Sequence, residues 1–273
     1  MPLSLSAVRT ASSFIGVDLG GGKGKNTTAV ARLRAIDDEH ASVEVVEYGT
    51  GKEAPFYDDE LLAYLRAHEG AIVAIDAPLT LPACLARAED AAPSERERAL
   101  DRWFRERAGP QVPAKKPKYT PYTQRATEVL LAEGVYEIIP RETLGQGMGP
   151  LTARGVYLRR ALAPMFRLDE NLIEVYPKAT IIQLAGKQLA QRYKRSGTEG
   201  EARLAILNVI EPLRFGLSRD SWRQQCLDND HKFDAVMCAY TAYLYSRDAC
   251  IAPTPEQRVV ADEGWIWIPQ LRA

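Results

Sequence analysis

The four cysteines of this chain, Cys84, Cys226, Cys238 and Cys250, form no CxxC pair and lie too far apart for a zinc ribbon. That absence sets cysteine-held metal folds aside and leaves free, mostly buried thiols, as expected of a reducing cytoplasm. Long apolar runs are missing too. No stretch approaches the ~20 residues a membrane helix requires, so no membrane role is expected. Residues 1–13 hold one Arg and no continuous apolar core, and read as a loose tail instead of a signal peptide. There is no internal repeat, and there is little net charge: −1 overall argues against a general nucleic-acid binder. The charge is unevenly placed, however. Residues 94–167 carry 14 Lys and Arg against 8 Asp and Glu, which suits either a polyanion-facing surface or a solvated helix face.

What is present is an ordinary globular composition, 46% apolar and 26% charged, over 273 residues. Strands are expected at 13–18, 27–33 and 42–48, joined by short turns as an antiparallel meander. An amphipathic helix follows at 58–69, with Leu61, Leu62 and Leu65 on one face. The next strand, 71–75, is apolar throughout, the pattern of a strand buried on both faces. Regularity then breaks. A charged helix (94–107), a Pro/Lys/Tyr-rich loop (109–122), a helix-like stretch (124–133) and a glycine loop (145–149) read as an insertion at about 79–150 that decorates one sheet edge. Helix 152–163, strand 171–176, helices 179–193, 199–211 and 230–247, and an edge strand at 264–268 complete the order. Three antiparallel strands, a helix, a central strand, then alternating helix and strand predict an α/β, ribonuclease H-like mixed sheet flanked by helices. The expectation is a single domain over 1–273. The same order also describes half of an actin-like sugar kinase.

Two strands end in carboxylates. Asp18 closes the run Phe14-Ile15-Gly16-Val17, and Asp76 closes Ala71-Ile72-Val73-Ala74-Ile75, with Pro78 stopping the strand just after. An Asp behind an apolar run is costly unless paired or ligated. Strand ends are also where open α/β sheets bind ligands. A third acid, Asp234, stands near the start of the helix at 230–247, beside Asp230 and Asp228. Each has a plainer reading as a turn or cap residue. Like charges held close need a cation, and an all-oxygen site selects Mg²⁺ or Mn²⁺. Glu174, in Ile173-Glu174-Val175-Tyr176-Pro177, is either a fourth acid or a solvent-facing residue by strand alternation. Candidate phosphate contacts are Lys23, Lys115, Lys116, Arg125, Arg141 and His231, with Lys232 offsetting charge on the phosphate. Tyr119 and Tyr122 are available to stack on unpaired bases or to pin their loop.

Taken as a set, Val17-Asp18, Ala74-Ile75-Asp76-Ala77-Pro78-Leu79, Ile173-Glu174-Val175-Tyr176-Pro177 and His231-Lys232-Phe233-Asp234-Ala235 resemble a known family. It is the group of predicted ribonuclease H-like nucleases catalogued as domain of unknown function 429. The resemblance runs from residue 14 to about 250. It implies a ribonuclease H-like fold, with catalytic acids at Asp18, Asp76 and Asp234, joined by Glu174. The expected activity is metal-dependent hydrolysis of phosphodiester bonds in DNA or RNA, one metal activating water and a second stabilising the leaving oxygen. The loop after Asp18 (Gly20-Gly21-Gly22-Lys23-Gly24-Lys25) departs from this pattern. It looks like the phosphate loop of an actin-like ATP-dependent small-molecule kinase, which stands as the alternative, beside a catalytically silent scaffold.

Overall fold

The computed structural model describes residues 11–21, 27–37, 40–48, 57–86, 92–109, 117–134, 138–163, 165–210, 213–215 and 219–270. Three strands come first, β1 (Ser13–Asp18), β2 (Ala29–Ala35) and β3 (Ala41–Tyr48), followed by α1 (Asp58–Arg66) and β4 (Ile72–Asp76). The next stretch holds a short 3-10 turn (Ala83–Leu85), then α2 (Glu95–Ala108), α3 (Ala126–Glu133) and α4 (Gly149–Leu162). Strand β5 (Leu172–Val175) leads into α5 (Pro177–Ala185), α6 (Lys187–Arg192) and α7 (Glu199–Val209). The chain then adds β6 (Leu213–Phe215), α8 (Arg219–Asp228), α9 (Asp230–Ser246), α10 (Pro255–Val260) and β7 (Ile266–Trp267).

All seven strands join one sheet in the order β6-β3-β2-β1-β4-β5-β7. The β1–β2 and β2–β3 pairs are antiparallel, whereas β1–β4, β4–β5, β5–β7 and β3–β6 are parallel. This mixed sheet, with its meander leading into parallel strands, is consistent with the expected ribonuclease H-like fold. Strand alternation assigns its two faces. Phe14, Ile72 and Ala74 pack with α9 on one side, while Ile15, Val17, Val73 and Ile75 pack with α1 and α4 on the other. Burial on both faces is why β1 and β4 read as unbroken apolar runs.

Helix α9 is the centrepiece of the first face. Asn229 caps it by accepting from the Lys232 N–H at 3.0 Å. Most of its length is buried, and Tyr243 meets Phe14 edge to face at 5.4 Å. Gly16 of β1 lies directly under it: a Cβ there would collide with the carbonyl of Ala235 and the amide of Ala239. Strand and helix therefore meet backbone to backbone.

Several sequence expectations need correction. The single helix expected at 179–193 breaks at Gly186, whose φ of 87° ends α5 and starts α6. The edge strand β6 and the helices α8 and α10 have no counterpart in the sequence reading. Tyr119 is buried in the core, so it pins its loop and cannot stack on a base, whereas Tyr122 is exposed. The thiols are free as expected, three buried and Cys84 partly so. Among the described residues, no helix is long and apolar enough to cross a membrane.

Candidate metal centre

Asp18 and Asp76 are register partners at the ends of the parallel strands β1 and β4. Alternation puts each on the face of Gly16 and Ala74, the face covered by α9. Asp234 stands in the second turn of α9, one residue before the backbone contact at Gly16. The three carboxylates each offer an oxygen within 4.8 Å of the others. Ligand oxygens 2.0–2.6 Å from one shared ion stand no farther apart than about twice that distance, so the spacing fits a single hard cation. Asp18 and Asp234 are buried, and Asp76 is half-buried.

The electrostatics show a site short of positive charge. Burial, reinforced by Asp18 and Asp234, pushes the Asp76 carboxyl well above the usual range. Burial also raises Asp234, against the opposing pull of Lys194. One oxygen of Asp234, Oδ1, is buried without a hydrogen-bond partner. A buried acceptor left unmatched calls for an explanation, and a bound ion is one that suits a carboxylate among carboxylates. The donor set, all carboxylate oxygen, suits a hard divalent cation.

Two basic side chains engage the triad. His231 places Nδ1 2.6 Å from Asp18 Oδ2, and that hydrogen bond raises its pKa. Lys194 Nζ stands 2.5 Å from Asp234 Oδ2 and 3.5 Å from Asp230. Burial works against the charge on Lys194, but Asp234 outweighs it and holds the ammonium more basic than usual. The sequence reading missed Lys194. It lies in the turn after α6, with no periodicity or motif to single it out. The lysine chosen instead, Lys232, turns away: its Nζ hydrogen-bonds Gln225 Oε1 on α8.

Glu174 is drawn into a different cluster. It pairs with Ile75, not Asp76, across the β4–β5 ladder, so it projects to the opposite face of the sheet. There Arg125 grips it with two guanidinium nitrogens, at 2.7 and 2.5 Å. Arg125 Nε also donates to Glu128 at 2.9 Å, and Nη1 to Thr80 at 2.9 Å. Glu174 Oε2 further accepts the Leu79 N–H at 2.9 Å, fixing the turn after Asp76. Arg125 is thus a buried structural cation, 1% exposed. Its charge is opposed by burial yet held by Glu174 and Glu128, so its pKa is raised.

Both clusters line one cleft of about 420 Å³. Arg141 and Lys178 stand exposed at its rim, with Tyr176 and Tyr193 in its wall. Met148 brings the glycine loop at 145–149 to the cleft, but residues 117–122 line a separate pocket against α2. Lys23, Lys115 and Lys116 lie outside the described residues, as does most of the glycine loop after Asp18.

Sheet and site together define an α/β protein with an acidic centre at the carboxyl ends of its central strands. More specifically, the chain belongs to the family described as protein of unknown function (DUF429), whose model matches residues 16–258. Comparison with curated proteins finds no match, and comparison with solved structures finds none.

Proposed function

We propose that this chain is a metal-dependent hydrolase of phosphodiester bonds, with DNA or RNA as substrate. The observation that carries the reading is the Asp18–Asp76–Asp234 cluster, three oxygens within 4.8 Å of one another. Beside them is the unmatched buried Oδ1 of Asp234. These residues fit a divalent ion. When bound, Mg²⁺ or Mn²⁺ supplies an acidified water and neutralises charge on phosphate oxygens. The remaining work falls to the chain's own side chains. His231 orients Asp18 through its 2.6 Å hydrogen bond. Lys194, Arg141 and Lys178 attract the phosphate backbone at the cleft mouth, which positions a substrate without reading its sequence. The Arg125–Glu174 pair keeps the strand-end turn in place below them. The cleft volume, about 420 Å³, falls within the ~300–1,000 Å³ of small-molecule pockets. In hydrolysis the water oxygen bonds phosphorus, the ester P–O bond breaks, and the leaving oxygen takes up the water's proton.

The test is Mn²⁺-dependent cleavage of mixed single-stranded DNA and RNA, run beside Asp18→Asn. Cleavage is expected for the parent chain and its loss in the variant, with an unchanged circular dichroism spectrum. Activity that survives in Asp18→Asn, or no metal-dependent cleavage of any substrate, defeats the proposal.

A further inference from the structure

Just past the end of β5, Tyr176 stands in the cleft wall. Glu174 is level with Ile75 in the β4–β5 ladder. The same register, carried along the parallel strands, sets Val175 beside Asp76 and Tyr176 one residue beyond it, a rise of ~3.3 Å. Three constraints hold Tyr176 there. Pro177 opens α5 and keeps the residue before it extended, as its φ of −133° and ψ of 98° show. The Tyr176 carbonyl accepts the Ala179 and Thr180 amides at 2.8 and 3.0 Å. Its ring packs against the apolar cluster of Leu131, Ile138, Ala179, Ile266 and Ile268.

The hydroxyl on this anchored ring is uncommitted: among the described residues it makes no hydrogen bond. Arg125, Glu128 and Glu174, by contrast, are occupied with one another. Burial, then Asp76, raises the Tyr176 pKa above the usual tyrosine value, while Arg141 and Lys194 pull the other way. Charges of both signs therefore reach a hydroxyl that stays protonated and keeps an O–H to donate. The other wall tyrosine differs. Burial raises Tyr193 too, but the charges that follow are Asp234, Asp76 and Asp18, with no cation among them. A phosphate held between a metal at the triad and Arg141 at the rim would meet the Tyr176 hydroxyl.

We infer that Tyr176 is a substrate contact, its hydroxyl donating a hydrogen bond to a phosphate oxygen beside the acidic centre. The contact rests on the phosphodiester reading above and gives it a fixed donor that adds no charge. Tyr176→Phe removes one oxygen and keeps the ring, so the packing around it stays. The experiment pairs two calorimetric titrations on the parent chain and on Tyr176→Phe: Mn²⁺ into metal-free protein, and inorganic phosphate into Mg²⁺-saturated protein. Equal Mn²⁺ affinity is expected, with phosphate bound about tenfold more weakly by the variant, the scale of a hydrogen bond to a charged group. Equal phosphate affinity overturns the inference and leaves the metal-dependent hydrolase standing. So does a Mn²⁺ affinity that falls with the hydroxyl, which would make it part of the metal site. Phosphate bound by neither chain overturns the inference as well. Mn²⁺ bound by neither chain sinks the hydrolase reading instead, and the phosphate titration then decides the contact by itself.

Discussion

The cleft floor holds two buried charge clusters, one on each face of the same sheet end, and they are built on opposite principles. Arg125, Glu128 and Glu174 form a closed set in which each charged group meets a partner or a backbone amide. Asp18, Asp76 and Asp234 form an open one, with excess negative charge, raised carboxyl pKa values at Asp76 and Asp234, and an unmatched oxygen. Satisfied networks rigidify, whereas a buried polar group without a partner calls for an explanation such as an ion or a water. Burial of charge alone therefore does not mark a functional site. What marks it is the imbalance that remains after all neighbours have been counted.

The largest test of that contrast is Arg125→Met. It leaves Glu174 and Glu128 buried without their cation, and a broken buried pair costs about 3–5 kcal/mol. Urea unfolding should show a loss of that order. A stable variant with weakened substrate binding would instead return Arg125 to the role of phosphate contact. The open cluster should behave in the reverse sense. Asp76 and Asp234 hold their protons more tightly folded than unfolded. As pH rises from the ordinary carboxylate range toward those raised values, the folded state therefore binds more protons than the unfolded one, and stability falls. His231, also raised when folded, loses its stabilising share in the same direction. Metal-free protein should thus melt lower at about pH 8 than at about pH 5. Asp76→Asn should flatten that slope and raise the melting temperature at the higher pH. Thermal melts in chelator across the pH range decide it, and a rising slope would contradict the shortage of positive charge. The smallest effect belongs to Lys232→Met. Its ammonium leans on Gln225, outside the cleft. Stability should move by no more than about 0.5 kcal/mol and Mn²⁺ binding not at all.

How far the site could be read from sequence follows from where each residue's partner lies. Asp18 and Asp76 announced themselves because a carboxylate closing an apolar strand is a local pattern, and their neighbourhood follows from strand order. Asp234 was legible through the helix start, which the sequence placed at Asp228 or Asp230 and the structure places at Asn229. Glu174 was ambiguous because its face depends on β4–β5 register, and its partner Arg125 lies 49 residues away in sequence. Lys194 had no local pattern at all; only the packing of the turn after α6 brings it to Asp234. Among the elements, α10 carried a readable signal in its Thr254–Gln257 capping box, which the sequence reading passed over. The three-residue β6 did not: so short a strand is defined by the edge of β3 that it joins.

The bare-backbone meeting at Gly16 carries a consequence for variation. Asp18 follows Gly16 by two residues, and Asp234 immediately precedes Ala235, whose carbonyl a Cβ at Gly16 would strike. The gap between these two carboxylates is thereby set by main chain against main chain, with no side chain between them as a spacer. Changing that spacing through the fold requires a change at Gly16, where even a methyl group would lift the helix off the strand.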